Sequence, residues 1–311
     1  MKKIILTLAA VILSAGLISA QDMAQATEKA QNANEALVAK DYAKALEGFK
    51  EAVTLAQACG DEGAELVGTC KSVIPSIVLT IAKNEIKDAK YDEGLAQLDE
   101  AIKVAEEYGN DDVIGEAATL IPQVKKQKAL ALYNAKDYAA AAEAYKEILA
   151  GDPEDGASAL RLALALTNTG DKDGSIAAFK QAAEHGQAAN ANKQLANIYL
   201  KDAQQLLKDK KYKEAMAACE ESNGFVESAN AYKLAASAAS QLKDNAKAIG
   251  FYEKYLELSP DAKDANGIIT TIAVLYQQAG NKAKAIEYYT KVQNDPQYGA
   301  TAKQQLEALK K

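Results

Sequence analysis

The chain of 311 residues contains no tryptophan, one histidine, one arginine, three cysteines and five prolines. A single histidine argues against the Ser-His and Cys-His dyads of nucleophilic catalysis, which need a base beside the nucleophile. Proline, the strongest helix breaker, is scarce, whereas the helix-favouring residues alanine, leucine, lysine, glutamate and glutamine dominate. The composition predicts a mostly helical chain that is not an enzyme.

Motifs that bind cofactors or metals are also missing. The sequence has no Cys-x-x-Cys, no His-x-x-x-His, no P-loop lysine motif and no dinucleotide-binding glycine fingerprint. The acidic segments 109–112 and 152–155 lack the alternating ligands and the terminal glutamate of a calcium loop, so we interpret them as solvated turns. His185 lies at a predicted helix end, where a cation suits the helix dipole. We therefore predict no cofactor and no metal site.

Positive charge is carried almost only by lysine, since Arg161 is the one arginine among 36 basic residues. The formal net charge is −7, and it becomes −9 without residues 1–20, which hold Lys2 and Lys3 but no acid. A net negative chain has no overall attraction to nucleic acid. The scarcity of arginine argues against a phosphate-reading surface as well. We expect no nucleic-acid partner.

The first twenty residues differ in kind from the rest. Lys2 and Lys3 precede an apolar run over residues 4–18, and Ala20 precedes Gln21. A basic start, an apolar stretch and a small final residue are typical of a cleaved secretory signal. The alternative is an uncleaved anchor, for which the run is short beside the ~20 residues of a membrane span. We predict a bacterial signal peptide over residues 1–20 and a periplasmic or extracellular mature chain without a membrane span.

A seven-fold pattern of residue sizes runs through the chain. A small residue recurs at one helix position, a second small residue follows twelve places later, and a bulky or apolar residue follows four places after that. The first set is Ala33, Ala82, Ala129, Ala163, Ala203, Ala236 and Ala273; the second is Ala45, Gly94, Ala141, Ser175, Ala215, Ala248 and Ala285; the third is Phe49, Leu98, Tyr145, Phe179, Cys219, Tyr252 and Tyr289. Small residues allow two antiparallel helices to approach closely, and the large residue fills the space between neighbouring pairs. The pattern predicts a stack of helical hairpins.

The clearest unit of this pattern runs from Pro122 to Pro153. Its segment 136–138, Lys-Asp-Tyr, is predicted to be the turn between two helices, with Asp137 capping the second helix. Successive units are 49, 47, 34, 40, 33 and 37 residues apart, so we expect longer helices in the N-terminal third. Residues 298–311 form a lone amphipathic segment, which predicts a helix that caps the end of the array.

These units resemble the tetratricopeptide repeat family, whose repeat has small residues at positions 8 and 20, an aromatic at 24 and a proline at 32. Alanine replaces the usual glycine at position 8 throughout, and position 32 is proline at Pro153 and Pro260. The resemblance covers residues 24–297. It implies an all-α, right-handed superhelical solenoid of about seven repeats over residues 21–297, with a capping helix over 298–311. It also implies that the chain binds other proteins and is not catalytic.

In this family, six positions of each first helix line a concave groove. None of the 42 residues at these positions is Asp or Glu, and seven are basic. Asparagine and glutamine can pair with a peptide backbone, and lysines attract acidic segments. The candidate binding residues are Lys83, Lys87, Lys126, Asn134, Arg161, Asn168, Asn197, Lys201, Gln204 and Lys233. We predict that a groove lacking acids binds a protein or an extended peptide, with acidic peptides favoured.

The cysteines leave two interpretations open. An odd number excludes complete pairing within the chain. Cys59 and Cys70 flank a glycine-containing turn, so a disulfide between two antiparallel helices is one interpretation and small packing residues are the other. Cys219 occupies a bulky position of the repeat, which favours packing.

The function predicted from these features is a non-catalytic scaffold or adaptor of the bacterial cell envelope. Two alternatives stay open. In one, the chain is a structural component of an outer-membrane biogenesis or secretion assembly and docks through convex or terminal surfaces. In the other, it binds an anionic glycan or a small anionic ligand, and salt weakens that binding.

Overall fold

The computed structural model of the protein describes residues 19–310. Most of the predicted signal peptide, residues 1–18, lies outside the described residues, and the first helix begins at Ser19. Within residues 19–310 the chain forms helices and short connections, with no strand. The predicted all-α fold class is therefore confirmed.

The described residues form fifteen α-helices in two compact units, one ending at Pro153 and one beginning at Glu154. Unit 1 contains α1 (Ser19–Val38), α2 (Tyr42–Ala58), α3 (Ala64–Lys87), α4 (Tyr91–Tyr108), α5 (Asp111–Asn134) and α6 (Tyr138–Gly151). Unit 2 contains α7 (Gly156–Thr169), α8 (Lys172–Ala182), α9 (Ala188–Lys208), α10 (Tyr212–Phe225), α11 (Ala229–Gln241), α12 (Asn245–Leu258), α13 (Ala265–Gln278), α14 (Lys282–Val292) and α15 (Gly299–Lys310). A 3₁₀ turn at Gly60–Gly63 precedes α3, and a π turn at Ala183–Gln187 precedes α9.

Consecutive helices pack as antiparallel pairs within each unit. The pairs are α1/α2, α3/α4 and α5/α6 in unit 1, and α7/α8, α9/α10, α11/α12 and α13/α14 in unit 2, with α15 packed on α14. The buried side chains of unit 1 merge into one core from Ala26 to Val124, and helices α11–α15 share another. Each pair thus completes its core against the next pair, which is how repeat arrays are stabilised.

The small and large residues of the repeated sequence pattern lie buried at the contacts inside these helix pairs. All seven alanines of the first set are at most 1% exposed, and every residue of the other two sets is buried. Gly94 shows how close the two helices come, since a Cβ built on it would lie 2.5 Å from Ile86 Cγ1. The prediction of tightly packed hairpins is confirmed.

The turn inside each pair has one backbone form. Its first residue has a positive φ in all seven pairs: Lys40, Ala89, Lys136, Gly170, Lys210, Lys243 and Gly280. The next residue is the N-cap of the second helix. Asp137 accepts a 3.1 Å hydrogen bond from the Ala140 backbone N–H, as predicted, whereas Lys90 and Lys211 make no side-chain cap bond.

The longer helices expected in the N-terminal third are present. Helices α3 and α5 have 24 residues each, against 14 in α6 and α7. The unit boundary expected at Pro122 is corrected, because α5 begins at Asp111 and Pro122 lies inside it, as Pro75 lies inside α3. An internal proline leaves one carbonyl without its amide partner. The buried apolar residues on both sides of each proline hold these helices together across that gap.

Helix α3 is unusually apolar. By length and composition, the segment Gly60–Lys87 is the one helix of the described residues that could cross a membrane, with a mean hydropathy of 1.4 in its most apolar window. Of that window, 44% is buried, and Ile74, Ile77 and Val78 belong to the core of unit 1. Packing between helices therefore accounts for part of this apolar character.

All three cysteines are free thiols. Cys70 and Cys219 are buried, and burial raises their pKa to about 11 and about 12. Cys59 is half-buried, with its Sγ 3.4 Å from the Leu55 carbonyl oxygen. The structure agrees with packing roles for these residues and contains no disulfide between Cys59 and Cys70.

Candidate peptide-binding groove

In unit 2, the predicted binding residues lie on the first helices of successive pairs. Arg161 on α7 is exposed, and so are Asn197, Lys201 and Gln204 on α9. Among the described residues, neither Arg161 nor Lys201 forms an ion pair, so both cations are available to an anionic ligand. We call the following residues the groove face of unit 2: Arg161 and Asn168 on α7, Asn197, Lys201 and Gln204 on α9, and Lys233 on α11.

Asn168 lies one residue before the end of α7 and is exposed. Its Nδ2 donates a 2.8 Å hydrogen bond to the Leu164 carbonyl oxygen of its own helix. An amide has one acceptor oxygen beside its two donors. One N–H of Asn168 is therefore occupied, and its side-chain oxygen and its second N–H remain for a ligand.

Lys233 is held by the following helix pair. Its Nζ forms an ion pair with Asp264, the N-cap residue of α13, and lies 5.4 Å from the centroid of the Tyr255 ring. The Tyr255 hydroxyl donates a 2.5 Å hydrogen bond to the other oxygen of Asp264. Hydrogen bonds from Lys233 and Tyr255 lower the pKa of Asp264. The Asp264 bond, with burial, raises the pKa of Tyr255 to about 12.

A cavity of about 420 Å³ opens on the exposed face of α13 next to this cluster. Thr270, Thr271 and Val274 line it, and Tyr298 closes one side. Val274 is 38% exposed, one of few large apolar residues in the described chain to reach the surface. Gly267 makes the space, because a Cβ there would lie 2.8 Å from the Tyr298 hydroxyl oxygen. The cavity suits a small apolar side chain bordered by hydroxyl groups.

In unit 1, one of the three predicted cations is already paired. Lys83 on α3 pairs with Glu116 on α5 at 2.5 Å. Lys87 and Asn134 are exposed at the last residues of α3 and α5, and Lys126 is exposed in the middle of α5. Because Lys83 is already neutralised by Glu116, the stronger candidate site lies in unit 2.

The prediction of a groove without acids needs correction at two places. Glu116 contacts Lys83, and Asp264 contacts Lys233. Both acids precede the repeat positions that the family pattern assigns to the groove. Glu116 belongs to the extended first half of α5, and Asp264 caps α13. Sequence counting missed them because it did not include residues before the start of each repeat.

The remaining candidates for chemistry stay isolated. His185 is half-buried in the π turn after α8, and its carbonyl oxygen would lie 1.9 Å from a Cβ at Gly156. Its role there is to pack the connection against the start of α7. Among residues 19–310, no group of three histidine, cysteine or acidic side chains is placed to hold a metal ion.

Comparison with known proteins gives the family. A family model described as tetratricopeptide repeat matches residues 126–193, and a second with the same description matches residues 229–262 and 268–294. The chain contains tetratricopeptide repeats. The match over 229–262 begins at Ala229, the first residue of α11, and spans the α11/α12 pair of this tetratricopeptide array.

Several solved structures share part of the helical pattern. MamA from Desulfovibrio magneticus RS-1 is 20% identical over 55% of this chain and 92% of that chain, with a TM-score of 0.31. The pilF protein of Pseudomonas aeruginosa is 18% identical over 60% and 91%, with a TM-score of 0.28. YrrB, described as a TPR protein with an unusual peptide-binding site, is 15% identical over 58% and 91%, with a TM-score of 0.31. No curated protein matches the chain.

Tetratricopeptide arrays present extended surfaces that bind other proteins. With these repeats, the chain is a protein-interaction scaffold. The sequence did not indicate the cavity beside Val274. The only sequence feature that pointed to the cavity is Val274, an apolar residue at a groove position of the last repeat. Tyr298, which closes the cavity, follows the last repeat and has no place in its pattern.

Proposed function

We propose that this chain is a non-catalytic scaffold of the bacterial cell envelope that binds extended, acidic peptide segments on the groove face of unit 2. One observation carries the proposal: Arg161 and Lys201 are exposed cations without a carboxylate partner, on successive first helices. Asn197 and Gln204 lie on α9 beside Lys201. Amide side chains pair with both the N–H and the C=O groups of a peptide, whatever its sequence.

The cavity beside Val274 supports the same proposal by offering an anchor. Burial of a valine or leucine side chain contributes about 1.5–3 kcal/mol, and each exposed ion pair adds about 0.2–1 kcal/mol. Together with amide contacts, these terms are compatible with micromolar binding, on the order of −8 kcal/mol. Asp264 at the cavity wall is neutralised by Lys233, which reduces repulsion of an acidic ligand.

Peptide binding is tested by fluorescence anisotropy with labelled peptides of about ten residues, selected from a random acidic library on the wild-type chain. We expect the double variant Arg161→Gln, Lys201→Gln to weaken binding about tenfold, since two charge contacts are lost. The matched control is Lys180→Gln, Lys303→Gln, which changes the net charge equally at two exposed positions off the groove face. Equal weakening in both variants would refute the groove site.

The cavity has its own variant. Gly267→Val fills the space under Tyr298, and we expect it to weaken peptides that carry an apolar residue more than peptides that carry none. The alternative function, a structural component that docks through convex or terminal surfaces, predicts that these substitutions have no effect on a partner captured from envelope extracts by crosslinking. That partner would be retained by both the Arg161/Lys201 variant and Gly267→Val.

We also propose that the chain is exported and cleaved after Ala20. The basic residues Lys2 and Lys3, the apolar run over 4–18 and the small residue Ala20 support this proposal. Intact-mass analysis of the chain recovered from a bacterial envelope fraction should give a mature N-terminus at Gln21. Recovery of chain that retains residues 1–20 in the cytoplasm would refute it.

A further inference from the structure

The two ends of the helices in unit 2 differ in charge. Because consecutive helices are antiparallel, the turns inside pairs lie at one end and the connections between pairs at the other. Three of the four turns inside pairs, over residues 208–214, 243–247 and 280–284, hold eight lysines and three acids, whereas the turn over 170–174 holds two acids and one lysine, Lys172, which pairs with Asp202. The connections over residues 183–187, 226–228, 259–264 and 293–298 hold five acids and one lysine. One edge of unit 2 is therefore rich in lysine, and the opposite edge is acidic.

Most of the lysines on the first edge have no intramolecular partner. Lys284 pairs with Glu287. The other seven are exposed and form no ion pair among the described residues, and we call them the lysine edge: Lys208, Lys210, Lys211, Lys213, Lys243, Lys247 and Lys282. Of the three acids in these turns, Asp209 and Asp244 accept hydrogen bonds from Gln205 and from the Lys247 backbone N–H, and Glu214 is exposed, so the eight lysines exceed the acids by five. The lysine edge thus holds uncompensated positive charge.

The acidic edge is too far away to cancel this charge. Helices α10 and α12 have 14 residues each, and at ~1.5 Å per residue they separate the two edges by about 21 Å. The Debye length at physiological ionic strength is ~8 Å. An approaching ligand therefore meets a positive surface, although the whole chain is negative.

Two of these lysines hold an unfavourable backbone conformation. Lys210 and Lys243 have φ values of 59°, in the left-handed region where a Cβ is disfavoured. Gly170 and Gly280 occupy the same turn position in the other two pairs of unit 2, so the turn itself accepts glycine. Across the seven pairs this position holds lysine four times, glycine twice and alanine once, so the turn does not require lysine.

We propose that the lysine edge binds a surface of anionic phospholipid headgroups. Lysine is a mobile point charge, which suits ligands without fixed positions, whereas arginine, with its rigid fork, suits structured partners. Protein interfaces are enriched in arginine and depleted of lysine, and the lysine edge contains no arginine. Rows of lysine attract anionic membranes additively. Lys208 also stands at a groove position of α9, whereas the other six lysines lie outside the groove positions, so membrane binding through those six leaves the peptide site open.

The test is sedimentation of the full chain with vesicles. Vesicles of phosphatidylcholine containing about one third phosphatidylglycerol are compared with pure phosphatidylcholine vesicles at low and physiological salt. We expect binding to the anionic vesicles only, weaker at higher salt. The variant Lys211→Gln, Lys213→Gln, Lys247→Gln, Lys282→Gln, which leaves every groove position intact, should bind about a thousandfold more weakly, given the contribution of each lysine near a membrane.

The matched control is Lys180→Gln, Lys263→Gln, Lys303→Gln, Lys310→Gln, which has the same net charge but an intact lysine edge. It should stay within about threefold of the wild type. Equal losses in the two variants, or no binding of the wild type to anionic vesicles, would overturn the proposal. Lysine-dependent binding of soluble polyphosphate without vesicle binding would also overturn it, by identifying a free polyanion as the ligand.

The strained lysines permit a separate check. Lys210→Gly, Lys243→Gly should raise the midpoint of thermal unfolding, because glycine relieves the left-handed strain, and should lower vesicle affinity about thirtyfold. If the double variant is more stable and binds vesicles as tightly as the wild type, these two lysines do not serve membrane binding. The edge and groove variants together separate the two proposals, because loss of vesicle binding with unchanged peptide affinity supports only the lysine edge.

Discussion

The Tyr288 hydroxyl donates a 2.7 Å hydrogen bond to Oε1 of Glu253, and the same oxygen accepts a 3.1 Å bond from the Tyr276 hydroxyl. Glu253 lies on α12, Tyr276 on α13 and Tyr288 on α14, so one carboxylate connects three successive helices. Burial and the bond to Glu253 raise the pKa of Tyr288 above its ordinary value, which keeps the hydroxyl protonated as a donor.

We expect Tyr288→Phe to lower the free energy of unfolding by about 1.5–3 kcal/mol, the usual contribution of a hydrogen bond to a charged group. Urea denaturation followed by circular dichroism measures the change. Tyr199→Phe is the matched control, because Tyr199 stacks on Phe225 at 5.8 Å and keeps that contact as phenylalanine. Equal losses in the two variants would show that the bond to Glu253 does not connect the helices.

The Tyr255–Asp264 pair predicts a loss of stability at alkaline pH. Tyr255 has a pKa of about 12 in the folded chain, raised chiefly by its bond to Asp264, against ~10 when unfolded. Because the folded value is the higher one, this contribution is complete below pH ~10 and is lost as pH rises through about 12. Thermal unfolding measured between pH 8 and about 12 should show a smaller alkaline decline for Tyr255→Phe. If Tyr255→Phe loses as much stability at alkaline pH as the wild type, other tyrosines cause the loss.

Two glycines inside helices predict opposite responses to alanine. At Gly94 a Cβ would lie 2.5 Å from Ile86 Cγ1, so we expect Gly94→Ala to cost about 1–3 kcal/mol through overpacking. At Gly68 the built Cβ meets nothing within 4 Å, so Gly68→Ala should stabilise α3 by about 0.5–1 kcal/mol. Chemical denaturation of both variants tests the prediction. A stabilising Gly94→Ala would mean that the α3/α4 pair does not need its close approach.

The helix caps predict a gain at one position and a loss at another. Lys211 is the N-cap of α10 without a side-chain cap bond, so Lys211→Asp should stabilise the chain by about 1 kcal/mol. Asp137 caps α6 through the Ala140 N–H, and Asp137→Ala should cost about the same. The midpoint of thermal unfolding should rise in Lys211→Asp and fall in Asp137→Ala. The variant Lys211→Ala separates capping from removal of a lysine, since it should bring little or no gain.

Much of the fold could be predicted because its signals are local and repeated. The seven alanines from Ala33 to Ala273 hold the same position in each repeat. Aligning the repeats on this position was enough to predict the buried face of every helix pair. The cap at Asp137 followed from residue type and turn position alone. The starts of the long helices were less predictable. Pro122 reads as a boundary in sequence, whereas Asn110 and the buried apolar residues that follow it begin α5 earlier.

Much less of the candidate site could be predicted. Lys83 and Lys233 were identified by position, but their partners Glu116 and Asp264 lie 33 and 31 residues away in sequence. The cavity beside Val274 depends on Tyr298, which follows the last repeat and has no place in its pattern. Contacts between different pairs depend on how far each helix extends, and repeat position alone does not contain that information.

The sequence by itself determined the all-α class, the seven helix pairs, their close approach and the net charge, because side-chain size and helix capping act between near neighbours. Only the tertiary structure decided which cations are neutralised and which remain available, as at Lys233 and Lys201. It also decided that lysines from three separate turns lie along one edge of unit 2. The physical reason is that charge and cavity shape depend on distances between helices, which antiparallel stacking sets and no single segment encodes.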